Sequence, residues 1–210
     1  MALLTVTETK NWLSKGGLII DLRSIDAFMD GFIPGSVYMP YSDNFYSVLD
    51  TLCETEDAII LVSENPAQQA EIEKRLTALP SDSVKGFLKE GFSDWAKTET
   101  IDLIIGIEAD EFAMDYQYDE FVLIDLRSKE LYEQEHIEDS ENVLPEQLLT
   151  YLLELDEEQI YYLYGNNAYE TLNAASLFKR AGFQRVRPVL ADYETIKNLG
   201  FPITKAKKQK

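Results

Sequence analysis

The sequence predicts an α/β protein built from two copies of one domain, each a mainly parallel sheet flanked by helices. Three observations carry this. Short, wholly apolar runs at Leu18–Ile20, Ala58–Val62 and Val122–Ile124 lack the alternation of a half-exposed strand and are too short for helices, so they read as strands buried on both faces. Segments with helical periodicity alternate with these runs, the order that builds parallel sheets covered on both sides. The pentapeptide Ile-Asp-Leu-Arg-Ser occurs twice, with Asp21 and Asp125 lying 104 residues apart. A repeat unit of that length is a domain.

Taken in order, residues 3–6 read as a short strand and Thr7 as the N-cap of a helix holding Trp12 and Leu13. Leu18–Ile20 is the first buried strand, ended by Asp21. Ser24 to Phe28 reads as one or two helical turns stopped by Gly31, Ile33-Pro34-Gly35-Ser36 as a turn, and Val37 to Pro40 as a second short strand. Phe45, Val48, Leu49, Leu52 and Cys53 follow the spacing of one apolar helix face. A strand at Ala58–Val62, a helix from Ala67 to Leu79 with Ile72, Leu76 and Leu79 inward, a strand at Val84–Leu88 and a helix at Phe92–Ala96 complete the unit. The second unit retraces this order. A strand ends at Ile107, and a helix covers Glu111–Tyr116. The buried strand is Val122–Ile124, followed by a leucine-rich helix at Gln147–Leu155 and a strand at Ile160–Leu163. A helix at Leu172–Ala181, a last strand at Val186–Leu190 and a helix around Ile196 and Lys197 end it. The domains are expected at 1–98 and 99–204. A short linker near Lys97 to Asp102, without Pro, Gly or Ser runs, implies domains that pack on each other, and residues 205–210 form a basic tail with four lysines.

Composition narrows the function classes. An apolar content of 45% and an aromatic content of 11% suit packed cores. No run of 18 apolar residues exists, so no membrane span is expected, and the N-terminus lacks a signal-peptide pattern. A single cysteine rules out an internal disulfide framework and fits a reducing cytoplasm. The net charge of −19 makes nucleic acid a poor partner, because its phosphates are neutralised by Lys and Arg, and it repels anionic substrates at long range. Residues 1–98 carry 8 basic and 15 acidic side chains, and residues 99–210 carry 11 and 23, so the second half is the more acidic.

The two repeated stretches resemble a family. Asp-x-Arg-Ser after a buried strand, an aromatic, and then Gly-(His)-Ile-Pro-Gly-Ser is similar to the opening motif of rhodanese-like domains. Here it is carried by Asp21, Arg23, Ser24, Phe28, Gly31 and Ile33 to Ser36. Val84–Trp95 resembles the family's closing strand and tryptophan helix, Ala174–Phe183 the helix after its active-site loop, and Gly200-Phe201-Pro202 its exit, so the resemblance covers nearly the whole chain. The first repeat is similar in wording to the tandem rhodanese tails that follow metallo-β-lactamase domains in sulfur-oxidising proteins.

The resemblance also says where chemistry is expected. A rhodanese nucleophile is a cysteine that opens the loop between the fourth strand and the next helix, where backbone N–H groups and the helix N-terminus lower its pKa and hold a persulfide. An oxygen nucleophile cannot replace it, because transfer passes through an S–S bond. In the first repeat that position falls at or next to Ser63, with Glu64 and Asn65 after it. In the second it falls at Gly165, 102 residues on, followed by Asn166, Asn167, Ala168, Tyr169, Glu170 and Thr171. Ala168 stands for the motif's glycine, Glu170 for its arginine and Thr171 for its serine. Both loops therefore read as vestigial, with no catalytic residue. Cys53 lies on an apolar helix stripe and reads as a small buried hydrophobe. His136 alone makes no metal site and reads as a satisfied turn residue. Arg23 and Arg127 read as tying down their turns.

The expected function is a catalytically inactive tandem rhodanese-like module that binds or scaffolds another protein, a sulfur-handling or metallo-β-lactamase-type enzyme by the resemblance. Neither cofactor nor metal is expected, and no nucleic acid or membrane. Two alternatives stay open: a thiosulfate or persulfide sulfurtransferase working through Cys53, and a small-ligand sensor using Gly165 to Thr171.

Overall fold

The computed structural model describes residues 1–42, 45–46, 49, 52–53, 56–76, 82–117 and 120–205. The chain divides into two compact units, Met1–Leu103 and Ile104–Lys210. In the first unit, β1 (Ala2–Leu4), β2 (Leu18–Asp21), β3 (Val37–Tyr38), β4 (Ile59–Val62) and β5 (Val84–Leu88) form one sheet in the order β1-β5-β4-β2-β3, every pair parallel. All four residues of β2 and of β4 are buried, as expected of strands that crossover helices cover on both faces. Gly86 serves the outer pairing: a Cβ there would sit 2.2 Å from the Ala2 carbonyl oxygen, so only glycine lets β1 approach β5.

The second unit repeats the layout. β6 (Val122–Asp125), β8 (Glu141–Asn142), β9 (Tyr161–Gly165) and β10 (Val186–Asp192) form a parallel sheet ordered β10-β9-β6-β8. The strand expected to end at Ile107 is reduced to one parallel bridge with Val189, in the place that β1 holds in the first unit. β10 is not the last strand. The chain returns to pair β11 (Ile203–Thr204) antiparallel with β7 (His136–Ile137). Its counterpart in the first unit is the antiparallel bridge between Phe32 and Asp102. The expected linker from Lys97 to Asp102 is thus the closing segment of the first unit, further held by the Trp95 indole N–H donating to the Thr100 carbonyl at 2.9 Å.

Several boundaries move for local reasons. The first helix is Val6–Leu13, and its N-cap is Thr5 rather than Thr7: Thr5 accepts from the Glu8 N–H, and the Glu8 carboxylate accepts from the Thr5 N–H at 2.8 Å. The helix after β4 runs Pro66–Leu76, with Ile72 and Leu76 buried, while Leu79 lies outside the described residues. On the Phe45–Cys53 stripe, Phe45 and Leu49 are buried and Val48 lies outside the described residues. Cys53 is not in the core but partly exposed. The helix expected at Gln147–Leu155 is instead a 3-10 turn (Pro145–Gln147), one α-turn (Leu148–Tyr151) and a second 3-10 turn (Leu152–Glu154). The helix expected from Leu172 starts one turn earlier, at Ala168, and ends at Arg180.

The repeated pentapeptide has a shared structural duty. Asp21 and Asp125 end β2 and β6 with their side chains fully buried, at 0% exposure. Each is gripped by the arginine two residues on. Arg23 Nε and Nη2 donate to Asp21 at 2.9 and 2.7 Å, and Arg127 Nε and Nη2 to Asp125 at 3.0 and 2.6 Å. The same Nη2 groups donate at 2.8 Å to the carbonyls of Gly31 and Glu135. Burial pushes the Asp21 carboxyl above its ordinary pKa, and the Arg23 hydrogen bonds pull against that shift. Ser24 and Ser128 close the motif as N-caps of Ile25–Met29 and Lys129–Gln134. Both arginines tie down their turns, as the sequence implies.

Removing one partner of such a pair strands a buried charge. Arg23→Met should destabilise the first unit by about 3–5 kcal/mol, and Asp21→Asn with Arg23→Met by less than Arg23→Met alone. Both tryptophans, Trp12 and Trp95, lie in that unit, so their fluorescence in a urea titration reads its unfolding. A single variant as stable as the parent would refute the clamp.

Candidate functional site

Register fixes the two loops as equivalents. Asp21 pairs with Val62 and Asp125 with Tyr164, so Ser63 and Gly165 each follow the residue that faces the clamp carboxylate. In the first unit Ser63 is buried at the end of β4. Asn65 caps the helix that follows, its Oδ1 accepting from the N–H groups of Ala67 and Gln68, both at 3.0 Å. Gln68 reaches back: its Oε1 accepts from the Glu64 N–H at 2.7 Å, and its Nε2 donates to the Leu22 carbonyl at 3.3 Å. The Glu64 carboxylate accepts from the Ser24 N–H at 2.7 Å, joining this loop to the end of β2. A cleft of about 290 Å³ opens beside Ser63, Glu64 and Asn65, bordered by Lys89, Glu90 and Gly91. Glu90 there holds a left-handed φ of 57°, unusual for a residue with a side chain.

The second loop is closed by the same device with a different charge. Asn167 is the N-cap of Ala168–Arg180, its Oδ1 accepting from the Glu170 N–H at 3.1 Å. Glu170 reaches back, Oε2 accepting from the Asn166 N–H at 2.9 Å and from Asn166 Nδ2 at 2.9 Å. One backbone donor that an anion could use, the Asn166 N–H, is thus taken by the loop's own carboxylate. A Cβ on Gly165 would sit 3.0 Å from Glu170 Oε2, so the carboxylate lies against the position of any side chain at 165. Thr171 is buried, with its hydroxyl near the carbonyls of Ala168 and Val189 at 3.1 and 3.0 Å, and Tyr169 is exposed. A cleft of about 570 Å³ touches only Asn167 and Ala168 of this stretch, and Glu108, Asp110 and Asp192 line it with three carboxyl groups. In each loop a backbone N–H next to the strand end is thus bonded by a side chain from the first turn of the following helix.

The rhodanese-like domain family matches residues 5–98 and 108–198. The chain belongs to that family. Among solved structures it is similar to the Alr3790 protein from Anabaena sp., at 23% identity over 48% of this chain and 92% of that one with a TM-score of 0.45. It is also similar to a thiosulfate sulfurtransferase from Pseudomonas aeruginosa, at 15% identity with a TM-score of 0.46; all of this chain is covered but only 44% of that one. The BH2092 protein from Bacillus halodurans matches at 18% identity over 54% of this chain and 83% of its own, TM-score 0.44. No curated protein matches the chain.

In this rhodanese-like pair, Ser63, Glu64 and Asn65 come together in one loop, and Gly165 to Thr171 in the other. Cys53 belongs to neither; it lies on the segment before β4, where its carbonyl accepts from Ser83 Oγ at 3.1 Å. His136 is not in a turn but in β7, with Nδ1 2.8 Å from the Tyr132 carbonyl and its ring stacked on Tyr132 at 3.8 Å. Among the described residues no group of three His, Cys, Asp or Glu is placed to hold a metal ion, and no helix is long and apolar enough to cross a membrane. Sequence reasoning missed Gln68, and it set down Glu170 as standing for the family's arginine without its part in the cap. Both stand three residues after a capping asparagine, in an Asn-x-x-Gln/Glu pattern visible at Asn65–Gln68 and Asn167–Glu170.

The cap predicts a thiol's behaviour. Gly165→Cys places sulfur against the Glu170 carboxylate, so its pKa should stand at or above the free value of about 8.5. Adding Glu170→Gln copies the neutral cap of the first unit and should lower it by about one unit. Thiolate absorbance against pH, corrected for Cys53 with the parent protein, reads both. Equal values in the two variants would mean that Glu170 does not fill the cradle.

Proposed function

We propose that this chain is a tandem rhodanese-like protein without sulfurtransferase chemistry of its own, acting as a module that binds or scaffolds a protein partner linked to sulfur metabolism. One observation carries the reading. At both loop starts the side chain cannot form a persulfide, and in each loop several backbone N–H groups are bonded from within, those of Glu64, Ala67 and Gln68 by Gln68 and Asn65, and those of Asn166 and Glu170 by Glu170 and Asn167. Capping boxes are permanent furniture of a helix end rather than an opening for a substrate. The net charge of −19 argues in the same direction, against thiosulfate as a substrate and against nucleic acid as a partner. The kinship in wording with metallo-β-lactamase-associated rhodanese tails supports a sulfur-handling enzyme as the partner, and the single cysteine supports a cytoplasmic setting.

A second reading survives on one feature: Cys53 is partly exposed, and so within reach of a persulfide donor. The thiosulfate:cyanide assay separates the two. Purified protein should show no transfer above a buffer blank, and no cyanide-releasable sulfur after incubation with thiosulfate. Turnover that vanishes in Cys53→Ser would overturn the proposal and make Cys53 the nucleophile. Native protein should nonetheless take up a thiol reagent without prior unfolding, because Cys53 is partly exposed.

A further inference from the structure

Of the five leucines from Leu148 to Leu155 in the second unit, only two are buried. Leu148 and Leu152 are buried, whereas Leu149 is 63% and Leu153 is 84% exposed. These outward leucines lie one helical turn apart on the broken helix, and with Leu155 they form one wall of a groove of about 430 Å³. The other wall is the C-terminal part of helix Ala168–Arg180 and the turn after it, with Leu177, Ala181 and Phe183. An apolar groove between two helical segments, fronted by side chains this exposed, has the form that receives the apolar face of a helix.

Its surroundings choose the occupant. Glu157 lines the groove, and Glu154, Asp156 and Glu158 flank it on the same exposed stretch, so four carboxylates follow the leucine wall. Arg180 is the cation on the opposite wall. The half of the chain that holds the groove carries 23 acidic against 11 basic side chains. That field attracts a basic segment, and it repels both an anionic membrane surface and a second copy of this chain, whose net charge is −19. The geometry points to this groove as the docking site of a partner's basic amphipathic helix, with leucine-like residues at i, i+3, i+4 and i+7 in the groove and Lys or Arg along the edge facing Glu154–Glu158. The inference rests on the binding-module reading and gives it a place and a ligand class.

A dye-labelled, end-blocked peptide of about 14 residues, with that leucine stripe and Lys elsewhere, is the probe, and fluorescence anisotropy the readout. The parent protein should bind it, more weakly as salt rises. The double change Leu149→Asp with Leu153→Asp should weaken binding at least tenfold. It adds negative charge, so a purely electrostatic association would strengthen instead. Glu154→Gln with Glu157→Gln should weaken binding while leaving the apolar wall intact, and a peptide with Glu in place of Lys should bind at least tenfold less tightly. All four substituted side chains are exposed, so the unfolding midpoint should not move. The inference fails if the Lys peptide does not bind, binds the leucine variant as well as the parent, or binds no better than the Glu peptide. Sedimentation showing self-association that the leucine variant abolishes would assign the groove to a second copy and overturn it too. The thiosulfate:cyanide assay on the same preparations keeps the two proposals apart: transfer activity sinks the binding-module reading, while inactivity without peptide binding sinks only the groove.

Discussion

The buried aspartate–arginine clamp is the interaction on which each unit depends. A carboxylate and a guanidinium removed from water are tolerable only where geometry and added hydrogen bonds offset their desolvation, and here both are supplied twice. The clamp does more than balance its own charges. By donating to the carbonyls of Gly31 and Glu135, the arginines fix the chain just before Phe32 and His136, the points at which each unit is closed by antiparallel pairing. The guanidinium planes also lie over aromatic rings, Arg23 4.0 Å from the centre of Phe92 and Arg127 3.4 Å from that of Tyr193. Strand end, returning segment and closing helix are therefore held at one point. The duties of Ile, Asp, Leu, Arg and Ser in the pentapeptide, from sheet core through clamp to N-cap, explain why all five recur together.

The loops show the same scaffold with a different finish. An anion cradle built at a helix N-terminus leaves N–H donors that need acceptors whether or not an anion is present. Both units meet that need through a capping box that reaches one residue further back than usual, to Glu64 and to Asn166. The first uses a neutral amide and the second a carboxylate. The choice matters little to the helix, which accepts either, but much to chemistry. A glutamate bonded to a loop N–H occupies a donor that any other anion would need. On the reading proposed here, these caps are what keep the helix ends satisfied without a persulfide.

Much of this was legible in the residues. Fully apolar runs identified β2, β4 and β6 because strands buried on both faces carry no polar alternation, and the repeated pentapeptide identified the two units. What escaped was of three kinds. Pairings of one or two residues, such as Phe32 with Asp102 and Ile203 with Ile137, leave no periodicity, so the closing segment of the first unit read as a linker. Caps were misplaced or missed: Thr7 was read as the cap that Thr5 supplies, and the cap made by Asn167 with Glu170 was not read at all. The leucine-rich segment read as one amphipathic helix because Leu148, Leu149, Leu152 and Leu153 are adjacent pairs at helical spacing. Periodicity cannot tell which member of each pair faces the core.

That last ambiguity bears on where function can reside. The second loop and the apolar groove occupy opposite ends of one helix, Asn167 capping its N-terminus and Leu177 lining the groove near its C-terminus. Ten residues at the helical rise separate them by about 15 Å. A rhodanese-type ligand and a docked helix would therefore not compete for the same atoms. At the loop end the Asn166 N–H and side-chain amide are already bonded to Glu170, whereas the leucines at the other end remain in water. Closing a catalytic loop costs a fold nothing when each amide keeps a partner; leaving Leu149 and Leu153 exposed yields no gain unless something covers them. Exposed apolar surface in the second unit thus lies at the leucine wall, which is where the proposed binding module would engage a partner.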